Sequence, residues 1–245
     1  MRGLWLPLLI VVGAEVLARV YGIDSDSIAA PSAILVAGWN AMLDGTLPIA
    51  TGQTLLAALG GWALGGGAGL VVAILFGLFA PLARLMRFTT ETLRPIPSVA
   101  IIPVAMLVFG FGYRMEIFIV AFACFWPVMI IGQSAVAGIE PRLDEVGRAL
   151  RLNLWARATK IVLPAALPRF FVAFRLAAGA ALIVAVTVEI AVNPLGLGYD
   201  LMLAQQTLHP DQMFALLLWV GVVGWCLNAA LLFMQRRWFA HDAAG

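Results

Sequence analysis

Asp144, Glu145, Arg148, Arg151, Arg157, Lys160 and Arg169 crowd into one stretch of a chain that is otherwise mostly Leu, Val, Ala, Gly and Phe. In so apolar a sequence, a charged island of this kind marks a loop with a job. A P-loop nucleotide site is excluded there, because the single lysine is preceded by Thr159 and followed by Ile161, which breaks the GxxxxGK[ST] pattern that cradles phosphates. Nucleophilic chemistry lacks its parts as well. Ser98 and Ser134 stand outside any GxSxG setting, and both histidines, His209 and His241, fall outside the apolar runs. His209 has no second histidine nearby with which to hold a metal. Glu189 is the other residue of interest, an acid inside an apolar run. At the centre of a membrane helix such a group costs about 2.5–3.5 kcal/mol, so it needs a partner, water or a proton. Lining or gating a path is one reading, and a satisfied structural acid is the other.

The island must be positioned by a short amphipathic helix. Leu143, Val146, Leu150 and Leu154 recur at spacings of three and four, with Arg148, Arg151 and Trp155 on another side. Asp144 and Glu145 suit the positive end of the helix dipole, and Glu145 can reach Arg148 one turn on. Pro164 and Pro168 punctuate the far end, so residues 162–168 are expected to turn and lead into the next apolar run.

The whole chain is 63% hydrophobic and 11% charged over 245 residues, too apolar for a soluble domain. Long continuous runs favour helices over barrel strands, so the expected fold is all-α and integral to a membrane. Six transmembrane helices are expected at about 4–22, 54–80, 93–112, 115–138, 170–193 and 213–235, with the charged island in a cytoplasmic loop at 139–169, all in one domain over 1–245. A cleaved signal peptide competes for the first run, where Arg2 precedes apolar residues 4–14. Glu15 and Arg19, four apart and able to pair, favour a retained span. Residues 23–53 and 194–212 read as external loops, the first with some helix near 32–43.

Two features of the spans stand out. Ala57, Gly61, Gly65, Gly69, Ala73 and Gly77 repeat every fourth position, a ladder that lets another helix approach closely. Pro95, Pro97 and Pro103 make the third span irregular, and with Ser98 they form a candidate lining of a path, since irregular backbone at membrane depth is tolerated around a cavity. Cys124 and Cys226 sit in apolar runs and read as core residues rather than a disulfide. Placing both termini inside puts all but Arg19 and Arg114 of the fifteen Lys and Arg on the cytoplasmic side, as the positive-inside rule requires. A net charge of +2 without patched, aromatic-interleaved basic residues argues against nucleic acid.

The pattern Glu145, Arg148-Ala149-Leu150, Trp155 and Val162-Leu163-Pro164-Ala165-Ala166-Leu167-Pro168 resembles the EAA loop of binding-protein-dependent ABC importer permeases, in the sulfonate, taurine and nitrate branch. Pro31-Ser32, Leu93-Arg94-Pro95-Ile96-Pro97-Ser98 running to Gly110-Phe111-Gly112, and Gly196-Leu197-Gly198-Tyr199 agree with that branch in the same order. Inside the loop the chain departs from it: Val146-Gly147 stand where Ala-Ala is usual, and Arg151 stands at the loop glycine.

The resemblance implies a transmembrane subunit in a bacterial inner membrane, carrying a small and anionic solute such as a sulfonate, taurine or nitrate. It implies two copies of a separate ATPase, a second copy of this permease, and an external or periplasmic solute-binding protein as partners within the lipid bilayer. The chain itself would be no enzyme and would hold no cofactor, with ATP and Mg on the ATPase. Asp144, Glu145, Val146, Gly147, Arg148, Ala149, Leu150, Arg151, Leu154, Trp155 and Pro164 would couple to that ATPase through a cytoplasmic coupling helix. The rival reading is a secondary transporter driven by an ion gradient, which broken helices and Glu189 would also serve.

Overall fold

A computed structural model describes residues 5–20 and 27–239, and among them every regular element is helical. Twelve helices follow in order: α1 (Trp5–Val20), α2 (Pro31–Leu43), α3 (Thr46–Leu78), α4 (Ala80–Leu85), α5 (Arg87–Leu93), α6 (Ile102–Phe109), α7 (Tyr113–Ala137), α8 (Pro141–Ala149), α9 (Leu154–Arg157), α10 (Leu163–Ala191), α11 (Gly196–Gln206) and α12 (Pro210–Phe239). A 3₁₀ turn, Ser98–Ile101, precedes α6, and a π turn, Ala158–Val162, joins α9 to α10. Arg2, Asp24, Asp26 and His241 lie outside the described residues.

Among the described residues, four helices are long and apolar enough to cross a membrane: Thr46–Leu78, Tyr113–Ala137, Trp155–Ala191 and Pro210–Arg237. A fifth candidate is the pair Arg87–Leu93 and Ser98–Phe109, which bends by 89° at its break. The break falls on Pro95 and Pro97, each of which removes a backbone donor and restricts the residue before it. The first helix, α1, covers 16 residues.

Several boundaries differ from the sequence reading. The run expected to start at residue 54 starts at Thr46, where Asp44 accepts the Thr46 N–H at 2.9 Å and its hydroxyl at 2.8 Å. The loop expected over 194–212 contains α11. The turn expected at 162–168 is helical throughout, and the span expected at 170 begins about four turns earlier. Pro164 sits just inside α10, directly after the π turn, and that widened turn already forgoes the regular i→i−4 pairing a proline would break.

The chain divides into two compact units, residues 1–54 with 186–225, and residues 55–185 with 226–245. In the first, Glu15 of α1 accepts the backbone N–H of Ser32 at 2.9 Å and its hydroxyl at 2.8 Å, and pairs with Arg19 at 2.6 Å. The Pro31-Ser32 pair thus starts α2 and fastens it to α1. Trp219 of α12 donates to the Thr51 hydroxyl of α3 at 2.8 Å.

In the second unit the glycine ladder of α3 packs on α7. A Cβ at Gly61 would lie 2.5 Å from Cβ of Val120, and one at Gly69 would lie 2.6 Å from the Phe125 carbonyl. Gly65 meets the Ala121 carbonyl and Gly77 meets Val136 still more closely. Ala73 opposes Gly132 of α7. The ladder is therefore an interface within this chain's own bundle. α10 carries a second ladder, Ala173, Ala177, Ala181 and Ala185, all buried against Val120, Cys124 and Val128. With such small side chains between them, the Cys124 thiol reaches the Ala177 carbonyl at 3.4 Å and Trp62 reaches the Phe174 carbonyl at 2.8 Å.

Candidate functional site

The charged island folds as two helical pieces rather than one. α8 ends at Ala149, and the Leu152 N–H returns to the Gly147 carbonyl at 3.0 Å while Arg151 between them takes φ +48°. This is the six-to-one bond of a Schellman ending, whose left-handed position is usually glycine. Arg151 fills that position at a cost of about 1–2 kcal/mol for a residue with a Cβ. The stripe predicted through Leu154 is consequently interrupted, and Leu154 begins α9. Asn153 caps α9 by accepting the Ala156 N–H at 2.8 Å.

Gly147 is buried because α8 folds back on the π turn, where a Cβ would stand 2.9 Å from the Ile161 side chain. The apolar side chains around it stay uncovered. Val146 is 50% exposed, Leu150 65% and Trp155 77%, enough to leave a bare apolar edge. Leu143, Glu145, Ala149 and Arg151 are exposed too, while the side chains of Asp144, Arg148 and Leu154 lie outside the described ones. An uncovered apolar edge of this kind marks a contact surface, whether for a protein or for lipid.

The broken helix presents Pro95, Pro97 and Pro103 at the surface, with Ser98 half-buried at the start of the 3₁₀ turn. The Ala100 N–H finds the Pro97 carbonyl at 2.9 Å, which restarts helical pairing beyond the bend.

Glu189 is far from that break in sequence and is almost wholly buried, at 2% exposure. Its carboxylate accepts the Gly198 N–H at 2.8 Å. The two preceding amides are satisfied from α3, the Gly196 N–H by the Gln53 carbonyl oxygen at 2.9 Å and the Leu197 N–H by the Thr54 hydroxyl at 2.9 Å. Three side chains from two helices therefore hold the first turn of α11, whose orphan donors would otherwise be unsatisfied. Gly196 turns the chain at φ +87°, and Gly198 lies so near the Val186 carbonyl that a Cβ would collide with it. Gln53 and Thr54 were missed by sequence reading. Their signal was a polar pair at the head of an apolar run, and nothing in the sequence linked it to the Gly-Leu-Gly triplet 143 residues on.

Beneath α11 lies a cavity of about 780 Å³ lined by α2, α11 and the first turns of α3 and α12. Asp44, Asp200 and Asp211 face it, with His209 and Gln212. Burial pushes the Asp200 carboxyl above the usual range, and the bonds from Thr46 hold Asp44 below it.

Residues 65–239 match the family described as the binding-protein-dependent transport system inner membrane component. The chain belongs to this family. It is similar to SsuC of Bacillus subtilis strain 168, named provisionally as an aliphatic sulfonates transport permease protein, at 29% identity over 97% of this chain and 86% of that one. It is also similar to the bicarbonate transport system permease protein CmpB of Synechococcus elongatus, 29% identical over 69% of this chain and 61% of that one, and to the nitrate import permease protein NrtB of Leptolyngbya laminosa, 26% identical over 69% and 61%. The fold matches a solved inward-facing structure of the MetNI methionine ABC transporter with a TM-score of 0.63 and 19% identity, over 75% of this chain and 93% of that one. The chain is thus an ABC transporter permease of the importer type, a multi-pass inner-membrane protein related to sulfonate and nitrate permeases.

Proposed function

We propose that this chain forms the translocation path of an ATP-driven importer for a small anionic solute, a sulfonate, nitrate or a relative, delivered by an external binding protein. The observation that carries the reading is the uncovered apolar edge of α8 and α9, inside the segment that the family match spans. Two copies of the permease pair, and each offers that edge to one of two ATPase subunits, which bind ATP and Mg. α8 serves as the coupling helix on the cytoplasmic side.

Six spans per chain, with both termini cytoplasmic, complete the arrangement. They are α1, α3, the bent α5–α6 pair, α7, the continuous helix ending with α10, and α12. This orientation keeps most Lys and Arg inside, as the positive-inside rule asks. Pro95, Pro97, Ser98 and Pro103 are the proposed path lining, because their irregular backbone requires protein or water around it. Glu189 serves the path at one remove, as the residue that positions α11.

Coupling is mechanical. ATP binding closes the ATPase pair, α8 rides in a groove on each subunit, and the spans on either side of it, α7 and the continuous helix ending with α10, swing to reopen the path on the opposite side. Trp155 is the anchor, since a large aromatic desolvated at a contact centre commonly contributes 2 kcal/mol or more, roughly 30-fold in affinity. A carrier driven by an ion gradient has no use for such an edge.

The test is capture. The chain purified with its genetic neighbours should bring down a P-loop protein in a one-to-one ratio, and Trp155→Ala or Glu145→Arg should weaken that association while leaving the helices folded. Undiminished capture by both variants would remove the docking role.

A further inference from the structure

A second charged site lies outside the coupling segment. Arg84, Arg87 and Arg94 converge on a cavity of about 490 Å³ between the α4–α5 region and the far half of α7. Its floor is apolar, made by Phe76, Met129 and Ile130. One carboxylate, Glu91, shares the cavity, and Arg87 already holds it at 2.8 Å. Among the described residues no carboxylate pairs with Arg84 or Arg94. Gln133 adds an amide on the opposite wall.

The rim has a different character. Leu85 is 76% exposed and Phe88 80%, each one residue from an arginine, and Leu82, Leu93 and Ile96 are exposed beside them. Large bare apolar side chains alternating with arginines are what a chain shows where it meets acyl chains and headgroups together. The family membership places this chain in a bilayer, and basic pockets beside membrane helices recognise anionic headgroups.

We propose that this cavity holds the phosphodiester headgroup of an anionic phospholipid, with the Arg84 and Arg94 guanidinium groups on its oxygens and Leu85 and Phe88 against its acyl chains. Arg suits the role, because its planar fork meets two phosphate oxygens at once. A dissolved oxyanion would satisfy the arginines but would leave Leu85 and Phe88 without a partner, which is why the lipid is favoured.

The test uses the purified full-length chain in nanodiscs of phosphatidylethanolamine mixed with phosphatidylglycerol, so it does not depend on transport or on any partner. Mild delipidation followed by native mass spectrometry should leave phosphatidylglycerol retained on the chain. Each arginine near an anionic surface is worth about fivefold, so the Arg84→Gln, Arg94→Gln double variant should retain it roughly 30-fold less well. Leu85→Ser with Phe88→Ser, which keeps both arginines, should also reduce retention. The proposal is overturned if the arginine variant retains phosphatidylglycerol like the parent. It is equally overturned if inorganic phosphate or methanesulfonate displaces the lipid completely while the Leu85 and Phe88 changes have no effect, for the site would then take a free oxyanion.

Discussion

The backbone amide of Gly198, in the first turn of α11, donates to the carboxylate of Glu189 in α10 at 2.8 Å. With Gln53 and Thr54 serving the two amides before it, this bond fastens the first turn of α11 to α3 and α10. An acid that looks expensive inside an apolar run thus has a use that its position in the sequence conceals.

Removing that acceptor should be costly. Glu189→Ala leaves a buried N–H unpaired, a loss of about 1–3 kcal/mol, and should lower the thermal unfolding midpoint in detergent, with Glu189→Gln milder. Gly198→Ala should be at least as damaging, because its Cβ meets the Val186 carbonyl. A parental midpoint for Gly198→Ala would mean that α11 does not seat on α10.

The left-handed residue at the end of α8 gives a prediction of opposite sign. Arg151→Gly should stabilise the α8–α9 turn by about 1 kcal/mol, since glycine adopts a positive φ without the Cβ penalty. Arg151→Val should destabilise it by more, the branched side chain being worse there. Limited proteolysis within 149–154 reports both, and slower cleavage of the valine variant than of the parent would contradict the assigned backbone.

The α3 ladder separates two glycines two residues apart. Gly65→Ala drives a Cβ into the Ala121 carbonyl, whereas a Cβ at Gly67 meets nothing within 4 Å. Overpacking of this kind commonly costs about 1–3 kcal/mol. Gly65→Ala should lower the unfolding midpoint measurably, and Gly67→Ala should hold or raise it through better helix propensity. Equal effects would place the α3–α7 contact elsewhere.

The cavity beside α11 supplies a pH dependence. Burial raises the Asp200 carboxyl, so the folded state favours its protonated form. Its contribution is fully present below the unfolded pKa and is lost as pH rises through the folded value. Asp200→Asn should therefore stabilise the protein at neutral pH, with the gain shrinking as the pH falls from the raised folded value toward the ordinary Asp value of 3.8 and absent below it. Unfolding midpoints of parent and variant across that range test it, and a gain that grows on acidification would reverse the sign.

What could be read from sequence follows from what each signal depends on. Composition alone announced an all-helical membrane protein, and the four-residue spacing of Gly61, Gly65 and Gly69 announced a close helix contact, because both are local properties. The partner of that ladder, α7, could not be read, since its side of the contact is ordinary Val and Ala. The turn expected at Pro164 failed for a physical reason: a π turn at 158–162 directly before it absorbs the missing donor, and widened helical turns have no composition signature, while Pro168 is carried inside α10. α11 was hidden for a related reason, its caps coming from Gln53 and Thr54, 143 residues away in sequence. In the candidate coupling site, the exposed Val146, Leu150 and Trp155 belonged to the pattern seen at once, while the break after Ala149 hinges on an arginine in a glycine's conformation.

In the function proposed above, ATP drives this permease through its α8–α9 edge. The most direct measurement is uptake of labelled methanesulfonate into vesicles holding the permease and its co-purified ATPase, with the binding protein outside and ATP inside. Uptake should require both ATP and the binding protein and should fall steeply in Trp155→Ala with the helices intact. Uptake by the chain alone, without ATP and following an imposed ion gradient, would contradict the account.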